Sequence, residues 1–155
     1  MMRLKLIWVG RVRRDAEGEL CRRYRDRLRG YGRFEEAVIK PIQGGSSDEA
    51  REKEGRKILD ACDPRDFVVL CDERGKGQSS PALANVLTAR ERDGRRPVWI
   101  IGGAMGVSEA LRQRADFMLS LSEMTLPHAL ARVLLLEQIY RAFTIKAGHP
   151  YHHEG

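Results

Sequence analysis

The chain has 155 residues, with 28 Lys and Arg against 22 Asp and Glu, a formal net charge of +6, 42% hydrophobic residues and 32% charged ones. That length suits one domain, 1–155, able to bury a core without disulfide or metal staples, and no apolar run approaches the roughly 20 residues that span a bilayer. Cys21, Cys62 and Cys71 are odd in number and too widely spaced for a CxxC motif or paired metal ligands, which points to buried thiols in a cytoplasmic protein.

The opening MMRLKLIWV interleaves charge with a short apolar run, unlike the core of a signal peptide, and predicts a strand over residues 4–9. Residues 11–33 then carry nine arginines and four acids, so this segment holds +5 of the net charge. Within it Leu20, Tyr24 and Leu28 recur every fourth residue, predicting an amphipathic helix over 17–29 whose arginines, Arg22 and Arg23 among them, face elsewhere. Guanidinium groups suit bidentate phosphate contacts and base stacking, so a nucleic acid is one reading of the face and a solvated surface is the other.

Branched and apolar runs predict further strands over 37–42, 67–71, 98–101 and 117–121, and helical stretches fall at 47–62, 81–93, 108–114 and 128–147. Ser80 before Pro81 reads as a helix cap, and so does Ser108. Alternating strands and helices indicate an α/β fold, a parallel sheet covered on both faces.

In such a sheet, ligands gather beyond the carboxyl ends of the strands. Three loops lie there. Residues 70–80, LCDERGKGQSS, form a basic, glycine-containing loop; residues 101–106, IGGAMG, offer paired glycines for a close backbone approach; residues 120–128, SLSEMTLPH, mix hydroxyls with apolar groups. The second loop lacks the GxGxxG dinucleotide fingerprint, so it is open to reading as a tight turn. Cys71, closing an apolar run, reads as a buried thiol, with a nucleophile as the alternative. The last helix is apolar almost all round, which asks for burial on more than one side, by another subunit or by the rest of the chain.

The carboxyl-terminal third carries a resemblance. Ile101-Gly102-Gly103, Met124-Thr125-Leu126-Pro127-His128, Arg132, Glu137-Gln138-Ile139-Tyr140-Arg141-Ala142 and His149-Pro150-Tyr151-His152 closely resemble the SPOUT-class methyltransferases that modify N3 of a pseudouridine in 23S rRNA. The likeness runs the length of the chain in order, including Asp72, Arg74-Gly75-Lys76 and Ser80. It implies S-adenosylmethionine as methyl donor, 23S rRNA within an assembled ribosome as substrate, a homodimer, and a carboxyl-terminal trefoil knot, a topology that ordinary connection rules disfavour; adjacent His152 and His153 lack a third ligand, so no metal is expected. By the same resemblance the donor pocket is built from Leu70, Gly102 and the segment Leu121, Ser122, Glu123, Met124, Thr125 and Leu126.

The acceptor nitrogen lies between two carbonyls and carries a proton, so a base or an anion-stabilising cation is required. His128, Tyr151 and His152 are the catalytic candidates, the histidines because they titrate near neutrality and the tyrosine as a base-stacking ring. Arg22, Arg23, Arg132 and His153 are the expected RNA contacts; His153 stands where related tails often carry a permanent cation. A noncatalytic RNA-binding module is the competing reading, resting on the arginine-rich segment alone. A nucleotide-dependent oxidoreductase has only the sheet in its favour.

Overall fold

A computed structural model describes residues 2–153, and the side chains of His152 and His153 lie outside the described part. The chain runs β1 (Met2–Val9), α1 (Ala16–Leu28), β2 (Gly32–Ile39), α2 (Ser47–Asp60), β3 (Phe67–Gly77), α3 (Ser80–Asp93), β4 (Pro97–Ile101), α4 (Glu109–Arg114), β5 (Phe117–Ser120), α5 (His128–Ala147) and a 3-10 turn, Pro150–His153. The strands form one parallel sheet in the order β2-β1-β4-β3-β5. This is the α/β architecture expected from the alternation of strands and helices.

Strand side chains alternate between the faces. Leu4, Leu6, Trp8, Val69, Trp99, Ile101 and Leu119 pack with α1, α3 and α5 on one side. Ile7, Val9, Val68, Leu70, Val98 and Ile100 pack with Ile58 of α2 and Leu111 of α4 on the other. The central β4, PVWII, is buried at every position, as a strand covered twice must be. Asp15, Ser46, Ser79 and Ser108 cap α1 to α4 by accepting a backbone N–H three residues on.

Most boundaries shift by one or two residues, and three differences from expectation stand out. The second strand starts at Gly32 and ends at Ile39 instead of covering 37–42. Its charged residues Arg33, Glu35 and Glu36 broke the apolar pattern, but β2 is an edge strand and tolerates them. The α3 cap is Ser79, whose Oγ accepts from Ala82 N at 3.2 Å. Ser80, in the first turn, instead donates to Gln138 Oε1 at 2.6 Å and ties α3 to α5.

The third difference matters most for topology: β3 continues to Gly77. Leu119 of β5 pairs with Cys71 and again with Lys76, and Ser120 pairs with Gly77. A strand residue offers one pairing edge on each side, so residues 72–75 leave the ladder and pass over β5, and residues 76–77 pair with it again in the same parallel direction along the other edge. Gly75 marks the crossing. A Cβ there would lie 2.6 Å from the carbonyl carbon and oxygen of Met118 and 2.8 Å from that of Leu119.

Candidate active site

The loops beyond β3, β4 and β5 enclose a cavity of about 360 Å³, within the size range of small-molecule sites. Its walls come from Cys71, Asp72 and Glu73, from residues 101–104 with Gly106 and Val107, and from Leu119, Ser120, Leu121, Ser122, Met124, Thr125 and Leu126. His128 and Ala131 of α5 complete it.

Each wall is held locally. Gly106 donates to Gly103 O at 3.1 Å, closing the turn after β4, and sits at φ 85°, the left-handed region glycine favours. Gly102 has no room for a side chain, because a Cβ would come within 2.5 Å of Val107 Cγ1. Ser120 Oγ donates to Ser122 O at 2.9 Å, and Ser122 Oγ accepts from Met124 N at 3.0 Å, which bends the chain after β5 around the cavity. Asp72 accepts from Arg112 Nε at 2.8 Å and from Arg74 N at 3.1 Å. Its desolvation works to raise the carboxyl pKa, but the bonds from Arg112 and Arg74 outweigh it and hold the group below the ordinary value. Asp72 therefore anchors the 72–77 crossing to α4. Burial pushes the Cys71 thiol up to about 12, leaving no thiolate to act as nucleophile at neutral pH.

A second cavity, about 400 Å³, opens beside the first and shares Gly103, Ala104 and His128 with it. It lies past the end of β1, lined also by Val9, Arg11, Arg13, Glu54 and Arg132. Here the sheet order changes direction: the chain leaves β1 for β2 on one side and β4 for β5 on the other, the switch point where open α/β sheets bind ligands. His128 stands between the cavities at the solvent-exposed start of α5, and desolvation followed by the nearby Arg132 charge lowers its pKa from the ordinary value. Its imidazole is neutral at pH 7 and able to accept a proton.

The expected site residues divide accordingly. Gly102, Leu121, Ser122, Met124, Thr125, Leu126 and His128 meet around the first cavity. Leu70 is fully buried toward α2 and α4, one residue short of that cavity, and Glu123 does not line it. Arg132 is buried; its Nη2 donates to Val9 O at 2.8 Å and Gly10 O at 2.9 Å, and its guanidinium lies 5.7 Å from the Trp8 ring centre. It braces the loop after β1 from inside. Arg22 and Arg23 are exposed on α1, and Arg22 pairs with Glu19. Arg22, Arg25, Arg29 and Arg33 border a shallow trough between α1 and β2, although Arg25 and Arg29 are engaged by Glu36 and Asp26.

Tyr151 lies at the other end of α5 from His128. A 20-residue helix separates them, a length of about 30 Å. Its ring meets Tyr140 edge-on at 4.8 Å, with the Arg141 guanidinium 4.9 Å from its centre, and its hydroxyl donates to Glu137 Oε1 at 3.3 Å. Burial, then hydrogen bonding with Tyr24, raises the phenol pKa far above its ordinary value. The side chains of His152 and His153 fall outside the described residues. Among the described residues no group of three or more His, Cys, Asp or Glu is placed to hold a metal ion, and no helix is long and apolar enough to cross a membrane.

Sequence reasoning included Arg11 and Arg13 in the arginine-rich segment read as a nucleic-acid face but missed Glu54. The loop after β1 was itself a carboxyl-end loop, but Glu54 comes from mid-helix in α2, and no local signal marks it.

Comparison with known proteins shows the family to which the chain belongs. A family profile described as "Predicted SPOUT methyltransferase" matches residues 2–152. Proteins named "Ribosomal RNA large subunit methyltransferase H" are similar along their whole length. That of Gloeobacter violaceus is 43% identical over 98% of this chain and 99% of its own. That of Solidesulfovibrio magneticus is 47% identical over 99% and 100%, and that of Geotalea daltonii 42% over 98% and 100%. Among solved structures, the SpoU methyltransferase AviRb of Streptomyces viridochromogenes, described in complex with AdoMet, matches with TM-score 0.46 and 15% identity over 94% of this chain and 58% of that one, too distant a likeness to bear on the site. A match spanning nearly every residue, joined to relatives above 40% identity end to end, places the chain in the SPOUT methyltransferase family.

Proposed function

We propose that this protein uses S-adenosylmethionine to methylate N3 of a pseudouridine in 23S rRNA of the large ribosomal subunit, working as a homodimer in the bacterial cytoplasm. One observation carries the reading: two cavities meet at His128, one shaped by glycine backbone and an apolar loop, the other lined by Arg11, Arg13 and Arg132 interleaved with Asp15, Glu17 and Glu54. The name shared by the relatives supplies the substrate class.

The residues of the first cavity fit a nucleoside-bearing donor. Gly102 and Gly103 expose backbone, the apolar Leu121, Met124 and Leu126 offer a surface for a purine ring, and the turn at Ser120 to Met124 leaves room for a ribose. When bound, the donor supplies a methyl on a sulfonium poised to leave, so the protein's task is alignment. In the acceptor cavity, His128 Nδ1 or Nε2 takes the imide proton of the base, which frees the N3 lone pair. The Arg11 and Arg13 side chains face the phosphates.

Single-domain organisation over 1–155 and the knot belong to the same proposal. The knot is supported by the passage of β5 between β3 and its continuation, with Gly75 at the crossing. The homodimer is supported by apolar side chains left outside: Leu130 and Leu134 on α5, and Met124 at 79% exposure beside the donor cavity. Because Tyr151 and His152 lie a full helix length from the His128 of their own chain, a catalytic role for the tail requires the partner's cavity.

Incubation of the protein with labelled S-adenosylmethionine and unmethylated large subunits tests the reading. Label is expected in 23S rRNA at pseudouridine; an RNA-binding module without activity would transfer none. Gly102→Val is expected to weaken donor binding by about 100-fold, since its side chain collides with Val107 and drives the loop into the pocket. Calorimetry returning wild-type affinity would show that the 101–107 turn does not form the donor site.

A further inference from the structure

The turn of residues 102–107 is the wall between the two cavities: Gly103 and Ala104 line both, Gly106 and Val107 the donor side and Met105 the acceptor side. Its base is fixed by packing. Gly102, Gly103, Val107 and Ser108 are buried. Gly103 lies against the Glu54 carboxylate, where a Cβ would come to 2.6 Å from Oε1, and Gly55 of α2 gives Ser108 the room to approach. The tip is held differently. Ala104, Met105 and Gly106 are exposed, Met105 at 50%, so burial does not fix them. Within the turn, Gly106 N donates to Gly103 O. From outside it, Arg51 of α2 donates through Nε to Met105 O at 2.9 Å, a tie across 54 positions of sequence. The same guanidinium pairs through Nη1 with Asp48, one turn back, at 2.9 Å. Asp48 is exposed, so that ion pair adds little by itself; it aims the guanidinium at the turn.

We propose that Arg51 is a positioning residue for methyl transfer: its grip on the Met105 carbonyl keeps the 103–106 turn in the form that walls the donor cavity, so that the donor meets a site already shaped. The proposal rests on the assignment of that cavity to S-adenosylmethionine and adds to it a residue that lines neither cavity. A turn with glycine at both ends of its tip has many backbone conformations open to it. A ligand that fits one of them binds in proportion to that one's population. Removing the tie leaves the donor's own contacts in place and lowers the fraction of chains ready to make them. Saturating donor restores the turn, so the loss falls on affinity and not on turnover.

Arg51→Met tests this, because it keeps the aliphatic stem and removes the N–H donors. Arg56→Met is the control, taking one positive charge from an exposed position on the same helix. Donor affinity by calorimetry, KM for the donor and kcat on large subunits, and thermal midpoints are measured for both, beside Gly102→Val. Arg51→Met should bind the donor about three- to tenfold more weakly, the span expected for one lost hydrogen bond from a charged group at a partly exposed site. KM for the donor should rise in step, with kcat within about twofold of wild type and the midpoint within about 4 °C. Arg56→Met should match wild type throughout. Unchanged donor affinity in Arg51→Met, an equal loss in Arg56→Met, or a loss confined to kcat overturns the proposal. A larger fall in midpoint would make Arg51 a general support of the fold and overturns it too. If Gly102→Val binds the donor as tightly as wild type, the assignment of the cavity itself fails, and the role of Arg51 with it.

Discussion

His128→Ala is expected to lower the rate of methyl transfer by about 10²- to 10⁴-fold, the usual worth of a positioned general base, while donor affinity changes little. The imidazole stands where the two cavities join, and desolvation and the Arg132 charge keep it neutral. The pH profile carries the same signature. Protonation removes the base, so kcat/KM of the wild type should fall on an acid limb whose midpoint lies below the ordinary histidine value of 6.5. The limb should be missing from the residual activity of the variant. A limb centred above 6.5, or one that survives the substitution, would assign the proton transfer elsewhere. Stability follows in sign. Because the folded pKa is the lower one, the unfolded chain binds more protons once pH drops below 6.5, and this histidine's contribution is lost as pH falls through the folded value.

Gly75→Ala should be among the most damaging single-methyl changes in the chain. Its Cβ would press 2.6 Å from the Met118 carbonyl, against backbone that cannot rotate away. A cost on the order of 4 kcal/mol follows, at the upper end for point substitutions, or a midpoint lower by about 10 °C. Gly77→Ala is the control: nothing lies within 4 Å of a Cβ at that site, and it should cost under about 0.5 kcal/mol. Equal denaturant midpoints for the two variants would mean that the 72–77 segment does not cross tightly over β5.

Periodicity and punctuation located every strand and helix, because the apolar runs of β1, β3 and β4 are buried on both faces and β5 is a short apolar run. The edge strand β2 was harder, since its alternation of charge and apolar residues resembles a loop until its position in the sheet is known. The return of residues 72–77 along β5 was illegible for a related reason. DERGKG is polar and glycine-rich, and it pairs outside the core, where no hydrophobic pattern records it.

The cavity proposed for the donor lies among the loops picked out by position and by family resemblance, although neither Leu70 nor Glu123 lines it. Leu70 precedes the loop but points to the α2 and α4 side, while Cys71 next to it reaches the cavity. Arg132 illustrates a different limit. Its charge suggested a phosphate, yet the carbonyls of Val9 and Gly10 occupy it, and only tertiary structure shows them together across more than 120 residues. The acceptor cavity was invisible for the same reason: the end of β1, the middle of α2 and the start of α5 assemble it.

A crystal structure with S-adenosylmethionine bound tests the central geometry most directly. The donor should lie between the 101–107 turn and residues 119–126, its methyl directed at the opening beside Gly103 and His128. Donor density elsewhere on the chain, or a methyl turned away from His128, would contradict a transfer between these two cavities.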